Sequence, residues 1–105
     1  MRTNLEMIRG DTLSFAFEVE FDEAPQKLEK ADFTCKANFD DNDALFHKEL
    51  EKGINFSKQD GNKLYYVVRV APEDTKDLEA GMYYYDLSID LNGEKKNLLT
   101  KAYYS

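Results

Sequence analysis

The sequence predicts a single all-β domain, an immunoglobulin-like two-sheet antiparallel sandwich of about seven strands with one short crossover helical turn. Apolar and polar residues alternate with period two along most of the chain, which is typical of strands with one buried face. The aromatic residues are seven Phe and seven Tyr with no Trp, a supply that favours strands over helices. A length of 105 residues suits one modest core, so residues 1–105 are expected to form one domain.

The first half of the chain carries an edge segment and three predicted strands. Residues 5–8 are expected to pair at an edge of a sheet. Residues 12–21 alternate strongly, and the inward set is Leu13, Phe15, Phe17, Val19 and Phe21. Residues 31–39 repeat the pattern, with Phe33, Cys35, Ala37 and Phe39 inward. An acidic turn at residues 40–43 then leads into a weaker strand at residues 44–51.

Residues 53–70 are predicted to form a hairpin across Asp60-Gly61-Asn62. A two-residue loop would turn Ile54 and Phe56 toward the face that carries Arg69. A three-residue loop is favoured, because it sets Ile54 and Phe56 opposite Val68 and Tyr66 on the apolar face. Such a loop needs Gly61 or Asn62 in the left-handed conformation.

The last part of the chain combines a helical turn with the strongest hairpin. A proline and several acidic residues at 72–78 suit the start of a short helix. Residues 81–91 form the clearest strand, and Asn92-Gly93 is a strong signal for a two-residue turn. The return strand should pair Leu98 with Leu87, Thr100 with Tyr85, and Ala102 with Tyr83.

Residues 79–85 resemble the tyrosine corner of immunoglobulin-like domains. Glu79, Gly81 and Tyr83 stand at alternate positions, and in such a corner the tyrosine hydroxyl bonds back to the preceding turn. Tyr85 stands where an antibody domain has its second cysteine, and Cys35 is the only cysteine of the chain. An internal disulfide is therefore excluded.

Composition narrows the classes of partner. The formal net charge of −7 argues against a nucleic-acid surface and an anionic membrane, because both require clustered Lys and Arg. No apolar run approaches the roughly 20 residues of a membrane span, and the first residues do not form a signal peptide. The expected location is the cytoplasm, or an assembly built there.

The sequence contains no motif that points to catalysis or to a cofactor. His47 is the only histidine and is expected on a strand surface, without the nucleophile and orienting group that a general base needs. Cys35 is expected to be a buried, inert small hydrophobe. One Cys and one His cannot form a zinc site. We expect no enzyme and no cofactor; the weaker enzyme alternative would need acids such as Glu18 and Asp86 brought together by folding.

Two short motifs have both a structural and a functional interpretation. The acidic turn at residues 40–43 does not fit an EF-hand, because Leu45 stands where that loop needs glycine. A looser calcium site shared with other loops stays open. Arg9-Gly10-Asp11 spells the tripeptide that integrins recognise, but a turn before a strand explains it equally well.

The outward face of the last hairpin is the candidate interface. Its register brings together Met82, Tyr84, Leu99 and Tyr103, an apolar and tyrosine-rich patch of the composition that protein interfaces favour. At the other end of the same face, Asp90 and Lys95 form a solvent-facing pair. Either a partner covers the patch, or another part of the chain such as the N-terminal segment does.

Two stretches carry a resemblance to a known family. RGDTLSF at residues 9–15 resembles the (R/K)GD-T-x-x-F start of small phage and prophage domains. PEDT at 72–75 and LEAGMYYYD at 78–86 are similar to their PEDT and L-x-A-G-x-Y-Y-Y-D segments. One such domain is the N-terminal part of upper baseplate proteins in phages of Gram-positive bacteria.

The resemblance implies a non-catalytic phage or prophage structural or assembly protein, in a baseplate, tail or head accessory role. Its implied partners are other phage structural proteins or further copies of itself, in the virion or the host cytoplasm. The alternative function is a small carbohydrate- or host-surface-binding module, since exposed tyrosines can stack on sugars. That alternative predicts binding on a glycan array.

Overall fold

A computed structural model describes residues 2–8, 14–38 and 44–104 of the protein, and most of these residues lie in strands. The elements are β1 (Arg2–Ile8), β2 (Ser14–Glu20), β3 (Lys30–Lys36), β4 (Phe46–Leu50), β5 (Gly53–Asp60), β6 (Lys63–Arg69), α1 (Pro72–Thr75), β7 (Gly81–Leu91) and β8 (Glu94–Tyr104). The prediction of an all-β fold with one helical turn is confirmed. Within these ranges, no helix has the length and apolarity needed to cross a lipid bilayer.

The strands follow the order β1-β2-β6-β5-β4-β3-β7-β8 in one continuous ladder. The described ladder has eight strands rather than about seven, because the predicted edge segment is a full strand that pairs with β2 from Arg2 to Ile8. The prediction of a purely antiparallel arrangement is wrong at one place, since β4 and β5 run parallel.

The parallel contact follows from the backbone between β4 and β5. Glu51 and Gly53 have φ values of 69° and 109°. The chain therefore bends twice between the strands, and β5 runs in the same direction as β4. The two strands meet only at Glu49–Gly53 and Leu50–Ile54. Within the described residues, this short seam is where the first four strands of the order pair with the last four.

The β5–β6 hairpin has the predicted pairing but a different loop. Ile54 lies opposite Val68 and Phe56 opposite Tyr66, as expected. The loop has two residues, however, with Asp60 paired to Lys63 and Gly61 at φ 60°. An irregularity between Phe56 and Lys58 takes up the extra residue, and such a bulge restores the register that a two-residue loop alone would shift.

Three residues that were expected to point into the core are only partly buried or are exposed. Phe56 is 38% exposed, because beyond Ile54 the strand β5 has left the seam with β4. Ala37 is exposed, since β3 ends at Lys36. Tyr83 is half-buried at the start of β7. Leu13 and Phe39 lie outside the described residues.

The β7–β8 hairpin forms as predicted. Asn92 and Gly93 have φ values of 52° and 80°, the left-handed pair that a two-residue turn of this kind requires. The pairs Leu87–Leu98, Tyr85–Thr100 and Tyr83–Ala102 are all present. The tyrosine corner is also present, because the Tyr83 hydroxyl donates a 2.6 Å hydrogen bond to the carbonyl of Glu79.

Aromatic rings from distant positions in the ladder meet in the core. The Phe15 ring of β2 lies 4.8 Å from Phe33 of β3 and 4.6 Å from Tyr85 of β7, measured between centroids. All three side chains are fully buried. Since β2 stands far from β3 and β7 in the strand order, the ladder must curve until its inner faces touch. The end strands β1 and β8 also approach each other.

Candidate interaction face

The predicted interface residues lie on the outward side of β7 and β8. Met82, Tyr84 and Asp86 alternate with the inward side chains of Tyr85 and Leu87, so they point away from the core. Met82 is 47% exposed and Leu99, on β8, is 50% exposed. Tyr84 is half-buried among its neighbours.

Pairing brings the candidate residues into adjacent rows. Met82 pairs with Tyr103, Tyr84 with Lys101, and Asp86 with Leu99. The register that places Met82, Tyr84 and Leu99 on one outward face is therefore the expected one. The backbone of Tyr103 belongs to the same corner, while its side chain lies outside the described part of the chain.

The described N-terminal segment does not cover this face. Strand β1 pairs with β2 along its whole length, and Leu5 and Met7 pack against the core. Strand β1 comes close to β8 but does not lie over the outward side of Met82 and Leu99. These two side chains remain about half exposed. Cover by these residues of the chain is therefore excluded as the explanation of the patch.

Lysines lie on both sides of the aromatic residue at the centre of the face. Lys36 of β3 pairs with Tyr84 on one side, and Lys101 of β8 pairs with it on the other. The ammonium of Lys101 lies 5.4 Å from the centroid of the Tyr84 ring, a distance suited to a cation–π interaction. Among residues 2–8, 14–38 and 44–104, neither lysine forms an ion pair.

A second lysine pair occupies the far end of the same face. Lys30 of β3 and Lys95 of β8 both pair with Asp90 of β7. The carboxylate between them lowers the local positive charge, whereas Tyr84 carries no charge at the equivalent place. Lys36 and Lys30 could not be predicted from the sequence, because the register of β3 on β7 joins segments that no local pattern connects.

The single histidine lies on the outward side of β4, as predicted. Its Nε2 lies 2.9 Å from the Asp32 carboxylate of β3, and both side chains are partly exposed. Thr34 lies directly opposite His47 in the strand pair. The His47–Asp32 pair is thus a cross-strand contact on the outer face.

The environment of Cys35 favours the protonated thiol. Its side chain is fully buried, and burial raises the pKa of the Cys35 thiol to about 11, although a hydrogen bond with Tyr85 acts in the opposite direction. Since the thiolate is the reactive form, this cysteine is a packing residue. The prediction of a buried small hydrophobe is confirmed.

The remaining motifs offer no assembled site. Arg9-Gly10-Asp11 and the acidic turn at 40–43 lie outside the described residues. Across the parts of the chain that the structure describes, no three His, Cys, Asp or Glu side chains come together as a metal site would require. A shallow depression of about 140 Å³ lies on the outer side of β1, β2 and β6, between Glu6, Glu18 and Tyr65.

Comparison with known protein families, with curated proteins and with solved structures gives no match to this chain. The interaction face must therefore be interpreted from its own residues. It combines two half-exposed apolar side chains, an aromatic ring and two lysines on the three neighbouring strands β3, β7 and β8.

Proposed function

We propose that this chain is a non-catalytic, immunoglobulin-like sandwich module that binds other proteins through the outward face of β7 and β8. The observation that carries the proposal is the exposure of Met82 and Leu99 near Tyr84 on the β7–β8 hairpin. Exposed apolar patches with Met and Tyr are typical of protein-binding surfaces.

The strand order supports the sandwich interpretation. The ladder divides at the short β4–β5 seam into the groups β1-β2-β6-β5 and β4-β3-β7-β8. In chain order, these groups correspond to the ABED and C′CFG sheets of immunoglobulin domains. The ring contacts between β2 and the strands β3 and β7 then become contacts between two facing sheets.

Three aromatic residues take the positions of the immunoglobulin core signature. That signature has a cysteine on strand B, a cysteine on strand F and a tryptophan on strand C packed against their disulfide. Phe15, Tyr85 and Phe33 occupy the corresponding strands here, and all three rings are in mutual contact. The Tyr83–Glu79 hydrogen bond sits two residues before Tyr85, at the place where the tyrosine corner is expected.

The phage assignment depends on the resemblance of the sequence. The PEDT segment forms α1, and the L-x-A-G-x-Y-Y-Y-D segment forms the corner and the start of β7. Both are structural motifs, so they support a common lineage more strongly than a shared role. On that basis we assign the chain to phage or prophage structural or assembly proteins, whose partners are other virion proteins or further copies of this chain.

The test is an association experiment with the face altered. Light scattering on a sizing column across a dilution series establishes the assembly state, and pull-down against proteins encoded beside its gene identifies partners. Replacing Tyr84 and Tyr103 with serine should weaken whichever association is found. A matched change on the opposite outer face, Tyr65→Ser, should leave it intact.

Two outcomes would contradict the proposal. An assembly state and a partner affinity that stay unchanged in the Tyr84→Ser, Tyr103→Ser variant would exclude this face. Binding on a glycan array without any protein partner would instead favour the carbohydrate-binding alternative.

A further inference from the structure

We propose that the β7–β8 face binds an acidic segment of its partner protein, with an apolar side chain on Met82, Tyr84 and Leu99 and carboxylates at Lys36 and Lys101. This inference rests on the proposed function and specifies the chemistry of the partner. The register of three strands places the relevant charges side by side.

The distribution of charge along the face indicates that the partner segment is negatively charged. Lys36 and Lys101 flank an uncharged ring and have no ion-pair partner within the described ranges. Asp86, one row further along β7, offsets one of the two charges. Counted over the described residues, the apolar end of the face therefore keeps a local positive excess, although the chain as a whole carries a net charge of −7.

Salt screening limits the repulsion between an acidic partner and the acidic residues elsewhere on this chain. At physiological ionic strength, exposed charges separated by more than about 8 Å are largely screened from each other. Among the described residues, the charges of the face that act on a carboxylate in contact with Lys36 or Lys101 are thus those of the two lysines and Asp86. A second copy that docks through the same face is a poorer occupant, because a two-fold pairing would set Lys36 and Lys101 of one copy against the same lysines of the other.

The spacing of the lysines sets the length of the motif. They lie on β3 and β8, on either side of β7, and two strand spacings amount to roughly 10 Å. In an extended segment, positions i and i+4 point to the same side and lie roughly 13 Å apart. Flexible lysine side chains can cover this difference. A segment that has one acidic residue two positions before an apolar residue, and another two positions after it, therefore fits the face.

The probe is a synthetic peptide, Gly-Glu-Ser-Phe-Ser-Glu-Gly, with a matched peptide in which both glutamates are replaced by lysine. Each is titrated at millimolar concentration into the ¹⁵N-labelled protein, and amide chemical shifts are followed by NMR. We expect saturable shifts on β7 and β8 around Tyr84 with the acidic peptide, which weaken as salt is added. The lysine peptide should produce none.

The chain supplies its own matched control. The double variant Lys36→Glu, Lys101→Glu should reduce affinity about tenfold or more, as expected when two attractive contacts become repulsive. The double variant Lys30→Glu, Lys95→Glu makes the same charge change on the same two strands, at the end where Asp90 stands, and should change affinity less than about twofold. Equal urea midpoints for both variants would show that each is folded.

Several results would overturn the inference. They are an absence of shifts, shifts centred on another face, equal binding of the lysine peptide, or an equal loss in both lysine variants. Its failure can be told apart from failure of the proposed function. If Leu99→Ser abolishes binding of the natural partner while Lys36→Glu with Lys101→Glu does not, the face binds proteins but not through acidic groups.

Discussion

The tyrosine corner offers the sharpest test of the fold. Tyr83→Phe removes only the hydroxyl that donates to the Glu79 carbonyl at 2.6 Å. A net intramolecular hydrogen bond contributes about 1 kcal/mol, and the bond lies at the surface, so water can replace it at the carbonyl. We therefore expect a loss of about 1 kcal/mol in the free energy of unfolding, with a fall of about 4–8 °C in the melting temperature.

The assay is urea unfolding followed by circular dichroism. With an m-value of about 1–2 kcal/mol/M, the midpoint of Tyr83→Phe should fall by roughly 0.5–1 M while the slope stays unchanged. Tyr65→Phe is the control, because the Tyr65 hydroxyl makes no hydrogen bond within the described ranges and lies on the outer face of β6. Its midpoint should stay close to that of the parent chain.

The reasoning would be refuted by equal midpoints for Tyr83→Phe and the parent chain. An equal loss in Tyr83→Phe and Tyr65→Phe would refute it too, because the effect would then belong to any tyrosine hydroxyl. A change in slope would show that the substitution alters the unfolded ensemble rather than a native contact.

Three further predictions concern stability and reactivity. Gly53→Ala should destabilise the fold by about 1–3 kcal/mol in urea unfolding, because φ is +109° and an added Cβ would lie 2.6 Å from Lys48 Cδ. The control Gly81→Ala should be nearly neutral, because no atom lies within 4 Å of the added Cβ. The Lys48 ammonium, 2.6 Å away, holds the pKa of Asp74 below its ordinary value of 3.8. Asp74→Asn should therefore cost about 1–2 kcal/mol near neutral pH, and urea midpoints should converge with those of the parent as the pH falls below about 4, through the lowered pKa. Because burial raises the pKa of Cys35 to about 11, iodoacetamide should modify the native thiol at roughly a hundredth of the unfolded rate or less; equal rates would show that the thiol is accessible.

Local patterns predicted most of the strands correctly because one face of each is buried. A one-residue slip in β2 would move Phe15 and Phe17 from the core to solvent, so alternation alone determines which side is inward. The Asn92-Gly93 turn was equally predictable, since few residues adopt two successive left-handed conformations. From that turn, the register of β8 and the grouping of Met82, Tyr84 and Leu99 follow directly.

The features that the sequence did not predict depend on contacts between distant segments. The bulge near Ser57 compensates for a short loop and keeps Ile54 on the core side, as a three-residue loop would, so the apolar pattern does not distinguish the two solutions. The parallel seam needs a kink at Glu51, a residue type with no preference for left-handed backbone. The lysine pair around Tyr84 depends on how β3 meets β7, which no local pattern specifies.

The strand order also has a consequence for how fast the chain can fold. The pairings of β2 with β6 and of β3 with β7 each join segments that lie roughly half of the chain apart. Such pairings must close long loops before they gain any contact energy, so the rate-limiting step should be slow, in the millisecond-to-second range of all-β domains. The β7–β8 hairpin needs no such closure, and it can form within microseconds. The strand pair that presents the candidate interaction face is therefore the part of the molecule most able to form early, before the core that later holds it in place.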